Sequence, residues 1–165
     1  MEGTQIMITK LLALDTSTTC TGYAVYLQGV YVSSGLIKES DKDANARLDK
    51  MIVAIYRTIK DVEPDVIVLE NEVIGGSRVT VMLSKLVGAI RGWAVGHGIS
   101  YYELDPAQWR SLIGVQAPGI KREKYKEIVQ EYVTKNIVNK EFEKDDESDA
   151  IAIGQAYINF FKKEN

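Results

Sequence analysis

Hydrophobic positions come first in short runs and later in stripes of three- and four-residue spacing. Residues 9–15 close on Leu11-Leu12-Ala13-Leu14-Asp15 and predict a strand. A polar Thr/Ser/Cys loop separates it from a second strand, Gly22 to Leu27. Gln28-Gly29 turns the chain into a third strand, Val30 to Lys38. Leu48, Met51, Ile52, Ile55, Tyr56 and Ile59 then recur with helical spacing, predicting an amphipathic helix over Ala44 to Asp61 that Pro64 stops. Asp65 to Glu70 is a short strand, wholly apolar between its two end acids, the kind buried on both faces of a sheet. After Gly75-Gly76 a long helix runs from Arg78 to Val95. A strand over Ser100 to Leu104 follows, with a short helix from Pro106 through Trp109. Helices over Lys121 to Lys135 and Ser148 to Phe161 end the chain.

This order predicts an α/β protein with a five-stranded mixed sheet and helices on both faces. With no internal repeat or linker, it predicts one domain over residues 1–165. A three-strand meander followed by a right-handed crossover sets the fourth strand parallel to the first. The first and fourth are the most uniformly apolar strands, so the pattern pairs them at the centre. Asp15 and Glu70 then become neighbours at the carboxyl ends of two parallel strands, where open α/β sheets bind ligands.

Asp146 and Asp149 add a second pair of acids. They are three residues apart and share a helix face that continues through Ile153, Ala156 and Phe160. Helix-dipole preference alone explains acids in a first turn. It does not explain why two of them extend the apolar stripe. Buried carboxylates are costly without a partner, so four that converge imply a cation or a proton.

These segments together resemble a family. Leu14-Asp15-Thr16-Ser17-Thr18-Thr19-Cys20-Thr21-Gly22 resembles the first motif of RuvC-type Holliday junction resolvases, which have an RNase H-like nuclease fold. Val68-Leu69-Glu70 resembles the second motif, and Leu86 to Gly92 is similar to the long interface helix. Asp146-Glu147-Ser148-Asp149-Ala150 resembles the terminal D-x-x-D-A motif. The resemblance spans roughly residues 10 to 160 and leaves bacterial and phage-type members both open. It implies a metal-dependent endonuclease that resolves four-way junctions and other branched DNA by paired nicks. Asp15, Glu70, Asp146 and Asp149 would hold two Mg²⁺ ions, with Mn²⁺ able to substitute. Segment 71–78 lacks the aromatic residue carried by members with strong sequence preference. Mg²⁺ takes hard oxygen ligands, and paired ions serve in-line displacement at phosphorus.

Charge refines this picture. The net charge is −3, but Lys121, Arg122, Lys124 and Lys126 gather at one helix start. Beside a phosphodiester site such a cluster meets backbone phosphates rather than solvent alone. By resemblance, Lys121 would be the catalytic-site lysine, contacting the phosphate near the cut, and the expected DNA-binding residues are Arg78, Lys121, Arg122 and Lys124. Trp109 and Arg110 are set either to stack on DNA or, for Trp109, to fill the core. Gly88, Gly92 and Gly96 recur every four residues on a helix that is apolar on most sides. That pattern fits close approach of a second copy in a homodimer, against the alternative of packing on the chain's own sheet. His97 reads as a helix-end residue and Cys20, the single cysteine, as a small packing residue. No charged start leads into an apolar stretch, and no uninterrupted apolar run is long enough to span a bilayer, so the expectation is a cytoplasmic protein without membrane contact.

Two other readings share parts of the pattern. Leu12 to Thr18 also resembles the opening of actin-like and sugar-kinase-type nucleotide-binding modules, which leaves Asp146 and Asp149 without a role. A single-nicking RNase H-like hydrolase acting on RNA–DNA hybrids would use the same four acids.

Overall fold

The computed structural model describes residues 10–71, 78–116 and 118–163, and for Arg78 the backbone alone. Strands β1 (Lys10–Asp15), β2 (Cys20–Leu27) and β3 (Val30–Lys38) form the meander. Gln28 and Gly29 both take positive φ, 50° and 79°, as a two-residue hairpin between right-twisted strands requires. Helix α1 (Ala44–Val62) starts under an Asp43 cap whose side chain accepts from the Ala46 amide. It ends on Glu63 in the left-handed region, just before Pro64. Strand β4 (Val66–Glu70), helix α2 (Arg78–Gly96) and strand β5 (Ser100–Leu104) follow. The short helix α3 (Pro106–Leu112) and helices α4 (Arg122–Asn136) and α5 (Asp145–Lys163) complete the chain. Helix α5 begins three residues earlier than the spacing predicts, so its first turn holds Asp145, Asp146 and Glu147.

The five strands form one mixed sheet in the order β3-β2-β1-β4-β5. β1 and β4 lie side by side and parallel, as the apolar runs predict, with Leu11 opposite Val66 and Leu14 opposite Leu69. The β1–β4 pairing ends one residue short of Asp15 and Glu70, so both acids stand at the same end of the sheet.

Strand alternation then decides where those acids point. Leu12, Leu14, Ile67 and Leu69 pack with α1 and α2 on one face of the sheet. Leu11, Ala13, Val66 and Val68 pack with α3, α4 and α5 on the other. Side chains two apart share a face, so Asp15 follows Leu11 and Ala13, and Glu70 follows Val66 and Val68, toward α5.

Helix α5 sits unusually close to the sheet. A Cβ on Gly22 would lie 1.8 Å from the Asp146 carbonyl oxygen, and one on Gly154 would lie 2.4 Å from the Tyr26 ring. The Tyr26 hydroxyl donates to the Ile151 carbonyl at 2.6 Å. Gly22 is also the residue paired opposite Asp15 in β2. The helix start therefore rests on the strand position beside Asp15. Ile153 and Ala156 are buried as the stripe predicts, and Phe160 is half-buried against Phe161.

Helix α2 turns Met82, Leu86, Ile90 and Ala94 inward. Its remaining faces stay largely apolar and exposed, including Val79, Val81 and Val95. Nothing lies within 4 Å of a Cβ built on Gly88, Gly92 or Gly96. Close packing of the glycines on the chain's own sheet is thereby ruled out. Over Val79–Gly96 the mean hydropathy is 1.2, so this helix is long and apolar enough to cross a membrane by length and composition. Lys85 and Arg91 interrupt it, so it is not an uninterrupted apolar run. Its inner stripe packs on α1 and the sheet.

Candidate metal and nucleic-acid site

Asp15, Glu70, Asp146 and Asp149 all line one cleft of about 570 Å³ at the carboxyl ends of β1 and β4. Thr16, Ser17 and Thr18 from the β1–β2 loop form part of its wall. That loop is braced internally: the Thr21 hydroxyl donates to the Ser17 carbonyl at 2.8 Å and accepts from the Ser17 amide at 3.2 Å. The Trp109 indole N–H donates to Glu70 Oε2 at 2.5 Å. Trp109 is buried in the core, which decides between the two roles the sequence left open.

The electrostatics are those of acids buried close together. Burial, then the negative charges of Asp145, Glu70 and Asp146, push the Asp149 carboxyl up to about 7, against a smaller pull from Arg110. Its Oδ1 is buried with no hydrogen-bond partner among the described residues. Burial and the charge of Asp145 also raise Asp146, whose side chain is hydrogen-bonded to the Cys20 thiol. The thiol is itself pushed up, first by burial and then by Asp146.

A fifth acid, Asp145, lines the same cleft, where sequence reasoning gave it no part. Burial alone would raise its carboxyl, but the Lys126 hydrogen bond and nearby positive charge outweigh that and hold it below the usual range. The Lys126 ammonium lies 2.5 Å from Asp145 Oδ2. Its neighbour Glu147 plays a different role. It is buried and accepts from the Ser34 hydroxyl at 2.6 Å and from the Lys140 ammonium at 2.5 Å. That pins the first turn of α5 to β3.

The basic residues divide unevenly. Arg122 and Lys126 line the cleft with Tyr125 and Val129, a stripe of three- and four-residue spacing along α4. Lys121 caps the start of that helix, exposed and outside the lining. Lys124 is exposed and paired with Glu127 at 2.8 Å. The side chain of Arg78 lies outside the described residues. Arg110, which sequence reasoning placed only with Trp109, also lines the cleft. Its guanidinium stacks over the Tyr125 ring at 4.5 Å and the Trp109 ring at 5.2 Å. His97 lies at the exposed end of α2, stacked on Trp93 at 4.1 Å.

Residues 8–159 match the model of a family described as DUF3882, Lactococcus phage M3 protein. The chain belongs to that family. Among named relatives, crossover junction endodeoxyribonuclease RuvC of Vibrio vulnificus is 30% identical over 98 residues, 56% of this chain and 57% of that one. The chain thus matches little more than half the length of that relative. The RuvC of Trichlorobacter lovleyi is 26% identical over 160 residues, 93% of this chain and 86% of that one. In fold, the chain matches T. thermophilus RuvC, solved in complex with a Holliday junction substrate, with a TM-score of 0.72. That match has 14% identity and covers 94% and 96% of the two chains. The Fowlpox virus resolvase, solved with Holliday junction DNA, matches with a TM-score of 0.68 and 14% identity over 93% and 99%. This phage-protein family member therefore resembles RuvC-type resolvases in sequence and shares their five-stranded fold.

The residues present fit a divalent cation. The donor set is hard carboxylate oxygen, which suits Mg²⁺, and the buried Asp149 Oδ1 lacks any hydrogen-bond partner among the described residues. As they stand, no three acidic, histidine or cysteine side chains among the described residues are close enough to share one ion.

The raised Asp149 carboxyl gives a stability signature. Its folded pKa of about 7 lies above the ordinary carboxylate value of about 3.9, so the fold favours the protonated acid. Stability of the ion-free protein should fall as pH rises from about 4 to about 7, by more than ~1.4 kcal/mol. Asp149→Asn should flatten that decline and melt higher than wild type at neutral pH. Denaturant titrations in EDTA across this range test it, and a wild-type curve that rises toward pH 7 would contradict it.

Proposed function

We propose that this protein is a Mg²⁺-dependent, structure-selective DNA endonuclease, acting as a single RNase H-like domain, that nicks four-way junctions in pairs as a symmetric dimer. The observation that carries the reading is the convergence of Asp15, Glu70, Asp146 and Asp149 on one cleft, with Asp149 buried among other acids. The named RuvC relatives, which share sequence with this chain, support the same substrate class.

Asp15, Glu70, Asp146 and Asp149 would hold two Mg²⁺ ions, with Mn²⁺ able to replace them. Bound there, such ions supply water activation and charge neutralisation for hydrolysis of a phosphodiester. The chain's own residues supply orientation. The sheet end fixes Asp15 and Glu70, the anchored first turn of α5 fixes Asp146 and Asp149, and Arg110, Arg122 and Lys126 give the cleft a positive wall toward the DNA backbone. Mapping nicks on a cruciform plasmid tests the paired action. Linear product formed without accumulation of nicked circles is expected; nicked circles alone would refute pairing.

Junction binding should be largely electrostatic. Removing Lys121 and Arg122 together should weaken it and make its salt dependence less steep, by roughly 0.9 for each phosphate no longer neutralised. An unchanged slope would leave the pair as solvated surface.

The open, glycine-spaced and apolar face of α2 supports the dimer. A two-fold dimer places two active sites in the relation that two opposed strands need. Gly92→Glu should then sediment as a monomer, bind junctions weakly and lose paired cutting. Wild type remaining a monomer at micromolar concentration with junction bound would favour the single-nicking alternative.

A further inference from the structure

We propose that Trp109 is a positioning residue that sets the Glu70 carboxylate for ion binding; this rests on the metal-site reading above. Glu70 ends β4, beyond the last β1–β4 pair, and its side chain has rotatable bonds that strand pairing does not restrain. A carboxylate that must meet an ion needs a fixed orientation, which neighbouring hydrogen bonds commonly provide. Trp109 offers a rigid donor. It is 1% exposed, so packing locks its ring, and its indole N–H reaches Glu70 Oε2 at 2.5 Å.

The local chain is built to deliver that donor. Asp105 is the cap residue of α3 and Pro106 opens its first turn. β5 ends at Leu104, which pairs with Glu70 itself. The path from Glu70 across the ladder to Leu104, and round the cap to Trp109, is short and stiff. The Asn71 amide also donates to the Leu104 carbonyl at 2.9 Å, tying the two strand ends together. An indole can donate but never accept or ionise. It therefore steers the carboxylate without competing for the cation or exchanging a proton with it. A phenyl ring at the same position would keep part of the packing and lose the steering.

Calorimetric titration of Mn²⁺ into four proteins tests this: wild type, Trp109→Phe, Glu70→Gln and the double variant. Trp109→Phe should bind Mn²⁺ about 10-fold more weakly than wild type, the lower end of what such supporting residues cost. The double variant should bind no worse than Glu70→Gln alone. Equal affinity of Trp109→Phe and wild type overturns the proposal. So does an equal loss in both backgrounds, which marks a general packing effect. If wild type binds no Mn²⁺, the metal-site reading itself fails and this proposal with it.

A second measurement needs no folded variant at position 109. The chain has two tryptophans, Trp93 and Trp109, so ¹⁵N-labelled protein gives two indole N–H resonances, which a Trp93→Phe sample assigns. Adding Mg²⁺ should move the Trp109 resonance and leave that of Trp93 in place. If Mg²⁺ binds and the Trp109 resonance stays, the coupling does not exist.

Discussion

Asp15→Asn should lower the rate of junction cutting by more than ~100-fold while leaving junction binding within a few-fold of wild type. Changes to residues that merely support metal ligands typically cost about 10–100-fold, so loss of a proposed ligand should exceed that. The same outcome is expected for Glu70→Gln, Asp146→Asn and Asp149→Asn, because all four side chains line the one cleft. Each substitution keeps size and removes charge, so the fold should survive. Asp149→Asn should even gain stability without metal, since burial and neighbouring acids oppose its ionisation. A protein that melts higher and does not cut separates a functional acid from a structural one. Gel-shift and cutting assays on the same preparation are the check, and normal cutting by Asp15→Asn would remove the assignment.

Gly22→Ala should be nearly as damaging, although Gly22 carries no chemistry. Its Cβ would meet the Asp146 carbonyl oxygen at 1.8 Å, the carbonyl carbon at 2.3 Å and the Glu147 amide nitrogen at 2.8 Å. All three are backbone atoms, so no side chain can swing aside. The first turn of α5 must lift, and it carries Asp146 away from Asp15, the partner of Gly22 across the strand pair. Misplacement by about 1 Å is enough to cost ~100-fold in a positioned reaction, and overpacking should cost ~1–3 kcal/mol of stability. Gly88→Ala provides the contrast, because nothing lies within 4 Å of a Cβ there. It should fold at least as well as wild type. Denaturation midpoints for the pair and the cutting rate of Gly22→Ala are the test; near-normal cutting by Gly22→Ala would show that α5 need not sit so close.

Much of the site is legible in the chain, for identifiable reasons. The wholly apolar runs before Asp15 and Glu70 mark two central strands, and the meander-plus-crossover order makes them parallel neighbours, as the sheet has them. The three-residue step from Asp146 to Asp149 marks a shared helix face. What the apolar runs do not give is the side of the sheet on which the acids project. When every residue in a strand is hydrophobic, alternation carries no sign, and only the partition of Leu12 and Leu14 from Leu11 and Ala13 settles it.

The misses have physical causes as well. Trp109 and Glu70 are 39 residues apart, and their hydrogen bond depends on how α3 leaves β5. Gly22 looks like an ordinary strand residue, since its need for a missing side chain comes from a helix more than a hundred positions away. The basic cluster reads as a unit in sequence, whereas helix geometry splits it. Arg122 and Lys126 share the cleft-facing stripe with Tyr125 and Val129, and Lys121 sits at the cap outside it. The three- and four-residue spacing of that stripe is present in the sequence and favours Lys126 over Lys124. Asp145 stands four residues before Asp149, a spacing that also shares a helix face, and its pairing with Lys126 holds it at the cleft.

The four converging carboxylates are proposed to make a metal-dependent nuclease site for branched DNA. The most direct test incubates the purified protein with an end-labelled four-way junction, a linear duplex of the same sequence and an RNA–DNA hybrid, each with Mg²⁺ and with EDTA. Symmetric nicks on two opposed strands of the junction are expected with Mg²⁺, with little cutting of duplex or hybrid, and none of any substrate in EDTA. Junction cutting that persists undiminished in EDTA, or an RNA–DNA hybrid cut in preference to the junction, would contradict it.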